Sequence, residues 1–231
     1  MSLRRAALIA LVALAACDPT GNVNITADAA NVRLANFVVD ATGLTSTVDG
    51  LAIHTNIAFG GVGSYQLISV DDSVIVIRQT SDGFLAATDT VLIVNGRHYT
   101  FYALGVLSSL RPRFTTDDTV FATAGNIKVR VIHGVGAQSF QGLDFYLSLT
   151  SDSLVDLVPL APSVAYGAQS AYLPADTAFR RLRLTPTGQT TVLVDTTFAA
   201  FADSSVITLV ASDKQGGGPP IRLQVVIDKA P

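Results

Sequence analysis

The chain contains no tryptophan, only one cysteine and only three histidines among its 231 residues. A single cysteine excludes a disulfide within the chain, so the fold must be held together by burial alone. Charged residues make up 14% of the sequence and form no basic cluster. This argues against nucleic acid as a partner, because phosphate binding depends on grouped Lys and Arg. Much of the apolar content is Ala and Val, which favours a lean, β-rich core.

The first sixteen residues have the features of an export signal. Arg4 and Arg5 precede an apolar run over 6–16, which is shorter than the roughly 20 residues that a membrane-spanning helix needs. The run ends in Leu-Ala-Ala-Cys17, which resembles the lipobox of bacterial lipoproteins. The resemblance implies a signal peptide over 1–16 and makes Cys17 the first mature residue and the site of lipid attachment. An ordinary secretory signal followed by an unmodified Cys is the alternative.

The lipobox also implies a location. Acyl chains on Cys17 would anchor the protein to a membrane more firmly than a single chain, which binds only marginally. We therefore expect an exported protein of the bacterial cell envelope, at the periplasmic face or the cell surface, with the membrane undecided. Without Arg4 and Arg5 the mature chain has 13 basic and 18 acidic side chains, a net charge of about −5.

A nine-residue stretch occurs twice and divides the mature chain into two modules. Ile57–Tyr65 and Val164–Tyr172 lie 107 residues apart, and each reads apolar, Ala, aromatic, Gly, a small middle and Tyr. The flanking patterns predict a tether over 17–31, a first module over 32–118, a linker over 119–126 and a second module over 127–231. Before its copy of the stretch, the second module carries ten extra residues, mostly around 150–156, which predict a loop or short hairpin.

Short runs of alternating polarity predict β-strands throughout both modules. The triplets that begin at Val32 and Val129 each read Val-Arg-apolar, as in a half-buried strand. Asn95-Gly96, between two β-favouring runs, predicts a hairpin with a type I′ turn. Of two equivalent strands, 74–78 is expected to be buried on both sides or to cross between layers, and 181–185 to have one wet face. The fold class predicted is two tandem antiparallel β-sandwich domains, immunoglobulin-like or transthyretin-like. One larger intertwined β-structure is the alternative.

Several of these segments together resemble the bacterial domain-of-unknown-function family DUF4397. They are Val129–His133, Asp144–Tyr146, Val164–Tyr172 and, in the first module, the segment from Tyr99 to Gly105. The resemblance covers residues 31–231 and implies an exported, often lipid-anchored protein with the module in tandem. The first module has Leu-Ala-Asn over 34–36 where the second has Val-Ile-His, so no shared role for His133 is implied. The family implies no activity.

No group of residues has the spacing of a catalytic or metal site. His54, His98 and His133 lack a second ligand at metal-binding spacing, and we interpret the first two as surface or edge-strand polarity and His133 as a partly buried, hydrogen-bonded imidazole. Ser64 and Ser170 lack the context of a nucleophile elbow, and the glycine-rich 60–64 segment lacks the Lys of a phosphate loop. No cofactor is expected. Calcium at the acidic pairs 71–72, 117–118 and 152/156 is a weaker alternative.

Tyrosine is the residue on which a sugar site would depend, because the chain lacks tryptophan. Tyr65 and Tyr172 end the two equivalent stretches, and we expect them to fill equivalent sandwich corners with their hydroxyls bonded to backbone. The leading hypothesis is therefore a non-enzymatic, lipid-anchored envelope protein with a structural, adhesive or protein-contact role. The alternative is a lipoprotein that binds carbohydrate or another small ligand, with envelope protein or polysaccharide as the possible partner.

Overall fold

The structure is a computed structural model, and it describes residues 28–70, 72–136 and 140–231. The predicted signal peptide, the lipid attachment site at Cys17 and the tether up to residue 27 lie outside the described residues, as does Asp71. Within those ranges, no helix has the length and apolar character needed to cross a membrane.

The first module is built from eight strands in two four-stranded sheets. Their order is β4-β1-β7-β8 in one sheet, which we call the inner sheet, and β3-β2-β5-β6 in the other, the outer sheet. Leu34, Ile75 and Phe101 are among the side chains from both sheets that form its apolar core. The strands are β1 (Ala29–Val38), β2 (Leu44–Val48), β3 (Leu51–Ile57), β4 (Gln66–Ser69), β5 (Asp72–Gln79), β6 (Leu85–Leu92), β7 (His98–Val106) and β8 (Ser109–Asp117).

The second module repeats this arrangement. Its inner sheet has the order β12-β9-β15-β16 and its outer sheet β11-β10-β13-β14. Val131, Phe145 and Leu209 belong to its separate core. The strands are β9 (Asn126–Gly134), β10 (Gly142–Ser148), β11 (Ala161–Ala165), β12 (Leu173–Asp176), β13 (Arg181–Pro186), β14 (Val194–Thr197), β15 (Val206–Ser212) and β16 (Arg222–Lys229). Two tandem β-sandwiches, as the sequence predicts, are confirmed.

The inner sheets are mixed rather than purely antiparallel. β1 pairs with β7 in parallel, and β9 pairs with β15 in parallel, while the remaining strand pairs are antiparallel. A parallel pair needs a long crossover connection, and in each module the outer sheet supplies it. The expectation of purely antiparallel sheets was wrong in this respect.

The inner sheets are buried on both faces. Along β7, Tyr99 and Phe101 face the first module's own core, while Tyr102 and Leu104 alternate to the other face. That other face packs against the inner sheet of the second module through Ile132 and its neighbours. The four sheets therefore stack as outer, inner, inner, outer, and we call the contact between the two inner sheets the seam. An additional apolar cluster fills the seam: Ala35, Phe37, Tyr102, Leu104, Ile132, Val210 and Val226.

The predicted hairpin at Asn95-Gly96 is wrong. β6 and β7 belong to different sheets, so this turn carries the chain from the outer to the inner sheet. Gly96 has a positive φ of 72°, but Asn95 does not, so the turn is not type I′. Burial explains the outcome, because β7 is buried along most of its length and takes a central position that β6, an exposed strand, cannot share. The hairpin with two positive φ values is Asp49-Gly50, between β2 and β3.

The two outer sheets differ in what covers them. On β5, Ile75 and Ile77 are buried whereas Val74 is exposed, so the expected burial on both sides is wrong. On β13, Arg183 and Thr185 are buried, so the expected wet face is also wrong. The ten extra residues account for the difference, because they form a loop with one 3-10 turn at Leu154–Asp156 that lies over β13. Arg183 Nη1 donates to the backbone oxygen of Asp152 in that loop at 3.2 Å.

Candidate functional site

Two ion pairs cross the seam, and each joins an arginine of one module to an aspartate of the other. Arg33 on β1 lies 2.5 Å from Asp228 on β16, and Arg130 on β9 lies 2.7 Å from Asp117 on β8. The second contacts are longer, with Arg33 4.0 Å from Asp117 and Arg130 3.8 Å from Asp228. All four side chains are buried. We call these four residues the seam quartet, and its formal charges cancel.

Threonine and tyrosine hydroxyls complete the quartet in the same way on both sides. Arg33 Nε donates to Thr100 Oγ1 at 2.8 Å, and Arg130 Nε donates to Thr208 Oγ1 at 3.0 Å. These hydroxyls donate in turn to Asp117 at 2.5 Å and Asp228 at 2.6 Å. Buried charges are tolerated only when such additional hydrogen bonds satisfy them.

The tyrosines that end the repeated stretches also belong to this network. Tyr65 donates to Asp117 and Tyr172 to Asp228, both at 2.8 Å. The guanidinium of Arg33 lies 4.3 Å from the centre of the Tyr65 ring, and that of Arg130 lies 4.6 Å from the centre of the Tyr172 ring. The equivalence of the two tyrosines is confirmed, but the expected backbone partner is wrong, because the acceptors are carboxylates.

Burial sets the ionisation of these groups. It raises the pKa of Tyr65 and of Tyr172, and the neighbouring carboxylate in each case raises that pKa further. Both phenols therefore stay protonated and act as donors. Burial, followed by the nearby charge of Asp117, also raises the pKa of Asp228. With every strong acceptor in the quartet occupied by protein donors, the arrangement joins the two modules.

The repeated stretches themselves are held by the opposite module. Gly60 O accepts a hydrogen bond from Gln224 Nε2 on β16, and Gly167 O accepts one from Arg113 Nε on β8 at 2.8 Å. Gly60 and Gly167 share a positive φ of 75°, which a residue with a side chain rarely adopts. The stretch is thus repeated because it contributes to the seam twice, and its glycines form a loop without a ligand of their own.

The histidines take structural positions. His133 is buried, and its Nε2 lies 2.8 Å from the backbone oxygen of Phe140, as expected of a hydrogen-bonded core imidazole. His54 was expected to supply surface or edge-strand polarity; it does lie on the edge strand β3, but it is buried between Ser46 Oγ at 3.1 Å and the backbone oxygen of Ser64 at 2.9 Å. Burial lowers the pKa of His54 and of His133. His98 is half-buried, with its ring 4.8 Å from that of Tyr65.

The serines and acidic pairs considered for chemistry lie apart. Ser170 Oγ donates to the backbone oxygen of Ala171 at 2.6 Å, and Ser64 Oγ accepts from Gln66 at 2.9 Å. Of the pair 117–118, Asp117 belongs to the seam quartet, while Asp118 binds Lys128 at 2.6 Å. Among residues 28–70, 72–136 and 140–231, no three His, Cys or acidic side chains are grouped closely enough to hold a metal ion.

The outer sheet of the first module presents an open, flat surface. Its outward residues pair in register across three strands, with Thr47 opposite Val76 and Val76 opposite Thr88. Hydroxyl and methyl groups therefore alternate on this face, which we call the open face: Thr45, Thr47, Val74, Val76, Arg78, Thr88 and Thr90. The corresponding face of the second module lies under the loop over 149–160.

A tyrosine platform for sugar is not found at the surface. All six tyrosines of the chain lie in the described ranges, and each is buried or half-buried. Tyr99 and Tyr102 are part of the first module's core and of the seam, respectively. This agrees with their expected role as core residues.

Sequence reasoning missed the seam quartet, although its signal was present. Arg33 and Arg130 were interpreted as the outward residues of half-buried strands, since alternation cannot distinguish a wet face from a buried contact. The informative feature was that three residues recur in both modules: Arg in the opening triplet, Tyr at the end of the repeated stretch, and Asp in the last strand. These aspartates are Asp117 in β8 and Asp228 in β16. A polar residue that recurs at equivalent positions of both modules indicates a shared structural contact.

A scan against family models identifies the family and adds no activity. A family model described as Domain of unknown function (DUF4397) matches residues 30–146, which span the first module and the first two strands of the second. The match is shorter than the 31–231 over which the sequence resemblance extends. A search of curated proteins found no match.

Solved structures with some likeness to this chain include a carbohydrate-binding module and two virulence factors, one described as glycogen-degrading and one as α-glucan-binding. A family CBM26 module from Eubacterium rectale Amy13K, in complex with maltoheptaose, is 9% identical, with 87% of this chain and 98% of that chain covered and a TM-score of 0.25. The multi-modular glycogen-degrading pneumococcal virulence factor SpuA is 14% identical, with 80% and 21% covered and a TM-score of 0.23. An α-glucan-binding streptococcal virulence factor is 14% identical, with 78% and 92% covered and a TM-score of 0.21. Likenesses this distant assign no ligand to this chain.

Proposed function

The chain belongs to the DUF4397 family of domains of unknown function, and on that premise we propose that it is a lipid-anchored bacterial envelope protein that acts by contact with another envelope protein and not by catalysis. Cys17 would carry the lipid and hold the protein at the membrane. The two modules would form one rigid body that presents the open face of the first module to its partner.

The observation that carries this proposal is the difference between the two outer sheets. Both modules have the same strand order, yet only the second covers its outer sheet, with the loop over 149–160. The open face alternates threonine hydroxyls with valine methyls and carries the charge of Arg78. A flat face of this kind can bury apolar methyl groups while each hydroxyl finds a hydrogen-bond partner across an interface.

The seam quartet supports a contact role through rigidity. Because the two ion pairs link the modules in both directions, the open face and the membrane-proximal N-terminus of β1 are held in one body. A rigid body loses less conformational entropy on binding than one with a mobile hinge.

Photo-crosslinking in intact cells tests the contact directly. A benzophenone amino acid would replace Thr88 on the open face and, as the matched control, Thr197, an exposed threonine on β14 of the second module. We expect a discrete protein adduct from position 88 and not from position 197. Equal crosslinking at both positions, or crosslinking to polysaccharide alone, would contradict the proposal.

Lipidation has its own test. Radioactive palmitate should label the full-length protein and not its Cys17→Ala variant. Equal labelling of the two would show that Cys17 is not the attachment site. A carbohydrate- or small-ligand-binding lipoprotein, the second candidate, depends on a different place in the molecule, the cavity described next.

A further inference from the structure

A cavity of about 550 Å³ opens at one end of the seam, and both modules line it. Its volume falls within the range of about 300–1,000 Å³ that is usual for small-molecule sites. We call it the seam pocket. The first module contributes Ser109 and Arg111 from β8, and the second contributes Tyr166, from the repeated stretch, and Asp213, just after β15.

Glycines keep the polar groups of the pocket accessible. A Cβ atom at Gly105 would lie 3.0 Å from the Tyr166 hydroxyl, and one at Gly136 would lie 3.4 Å from Asp213 Oδ2 and 3.7 Å from that hydroxyl. Side chains at these two positions would fill the space in front of Tyr166 and Asp213. In the first module the residue equivalent to Tyr166 is Phe59, which has no hydroxyl.

Asp213 is a largely buried carboxylate that lines the seam pocket. Asp213 is only 7% exposed, and its Oδ2 accepts a hydrogen bond from Gly136 N at 2.8 Å. Within the described ranges, Oδ1 has neither a hydrogen-bond donor nor a cation, although the residue lines the pocket. Burial raises the pKa of Asp213, and a cation held at Oδ1 would counteract that effect.

Arg111 supplies the opposite charge. It is exposed, and its guanidinium lies 5.6 Å from the centre of the Tyr166 ring. Its described surroundings offer no carboxylate within ion-pair distance, so Arg111 and Asp213 do not neutralise each other. Because Arg111 lies over the ring, the face of Tyr166 is not free to stack against a sugar. Guanidinium is the side chain best suited to bind a carboxylate in a bidentate manner.

We propose that the seam pocket binds a small zwitterion, an α-amino acid or a very short peptide, with its carboxylate at Arg111 and its ammonium group at Asp213. The Tyr166 hydroxyl lies beside both and can donate to the ligand carboxylate. Two charges of opposite sign, neither of which forms an ion pair within the described residues, favour such a ligand over a simple anion, a simple cation or a neutral sugar. The site is separate from the open face, so the contact role and the pocket stand or fall independently.

Calorimetric titration of the full-length protein in detergent tests the pocket. The probes are the common L-α-amino acids and glycylglycine, each titrated alone, with maltose as the neutral comparison. We expect at least one zwitterionic probe to bind with a dissociation constant of about 1 mM or tighter. Its N-acetyl derivative and its methyl ester, which each lack one charge, should bind at least about tenfold more weakly.

Variants locate the binding. Arg111→Gln and Asp213→Asn should each weaken binding by about tenfold or more, since each removes a charged hydrogen-bond partner. Arg222→Gln and Asp89→Asn, at exposed positions outside the pocket, are the matched controls and should bind like the wild type. If Asp213→Asn fails to fold, Arg111→Gln, the N-acetyl derivative and the methyl ester still decide whether the pocket binds both charges of a zwitterion.

Three results would overturn the proposal. One is the absence of binding tighter than about 1 mM by every zwitterionic probe. The second is unchanged affinity for the N-acetyl derivative or the methyl ester. The third is binding of maltose that Arg111→Gln abolishes, which would assign the pocket to a sugar instead.

Discussion

Replacing Arg130 by methionine is the sharpest test of the seam quartet. The substitution keeps much of the side-chain volume but removes the cation 2.7 Å from Asp117, and with it hydrogen bonds to Thr208 and to the backbone oxygen of Thr116. Arg130 is 1% exposed, so water cannot replace these contacts without opening the seam. Breaking a buried ion pair from one side typically costs about 3–5 kcal/mol. Domains of ordinary stability have only about 5–15 kcal/mol in total.

Urea unfolding followed by circular dichroism measures this loss. We expect Arg130→Met to lower the free energy of unfolding by about 3–5 kcal/mol, or the melting temperature by roughly 6–20 °C. Arg33→Met should behave alike, because Arg33 has the equivalent position opposite Asp228. The control is Arg181→Met, which breaks a solvent-exposed pair with Asp195 and should change stability far less, because water screens that pair. A loss at Arg130 no larger than that at Arg181 would refute the reasoning.

Three further predictions concern the seam and the buried histidines. Tyr172→Phe removes the hydroxyl that donates to Asp228 at 2.8 Å. Urea unfolding should show that the free energy of unfolding falls by about 1.5–3 kcal/mol. An unchanged urea midpoint would mean that this hydrogen bond contributes nothing to stability. Burial lowers the pKa of His133, so its imidazole resonance should titrate below the ordinary value of about 6.5. The contribution of the neutral imidazole to stability should be present above about pH 6.5 and should be lost as the pH falls toward the lowered pKa. A titration at or above about 6.5 would contradict the burial of His133. The second module expressed alone over 125–231 should melt at a lower temperature than the whole protein and should self-associate in analytical ultracentrifugation. The reason is that its inner sheet would then expose Ile132, Val210 and Val226 to water. A stable monomer would show that this face does not need a partner.

The sandwich fold was accessible from the sequence because its evidence is local. Alternating polarity around residues such as Leu34 and Leu184 marks strands, and the repeated stretch shows that one module occurs twice. The constant 107-residue offset also placed β5 and β13 at equivalent positions, as the structure confirms.

Strand partners were less accessible because burial from a distant segment decides them. Asn95-Gly96 has the composition of a hairpin turn, yet β7 pairs with β1 and β8, since only the inner sheet buries both of its faces. Asp49-Gly50 has similar composition and does form a hairpin. The two turns differ in their tertiary surroundings, which turn chemistry does not encode.

The candidate site was least accessible because it lies between the modules. Arg33 and Asp228 are 195 residues apart in the chain, and nothing in the local pattern of either indicates the other. Arg183 shows the same limit, since its burial depends on a loop whose position the sequence does not give. Comparing equivalent positions of the two modules recovers part of this information, because a shared contact repeats its residues twice.

Differential scanning calorimetry of the mature protein tests the central claim, that the two modules form one closed unit through the seam. If the seam quartet and the apolar cluster around Ile132 couple them, unfolding should show a single transition whose calorimetric and van't Hoff enthalpies agree. Arg130→Met should weaken the coupling and separate the transitions. Two independent transitions in the unmodified protein, or a van't Hoff enthalpy near half the calorimetric value, would contradict the account.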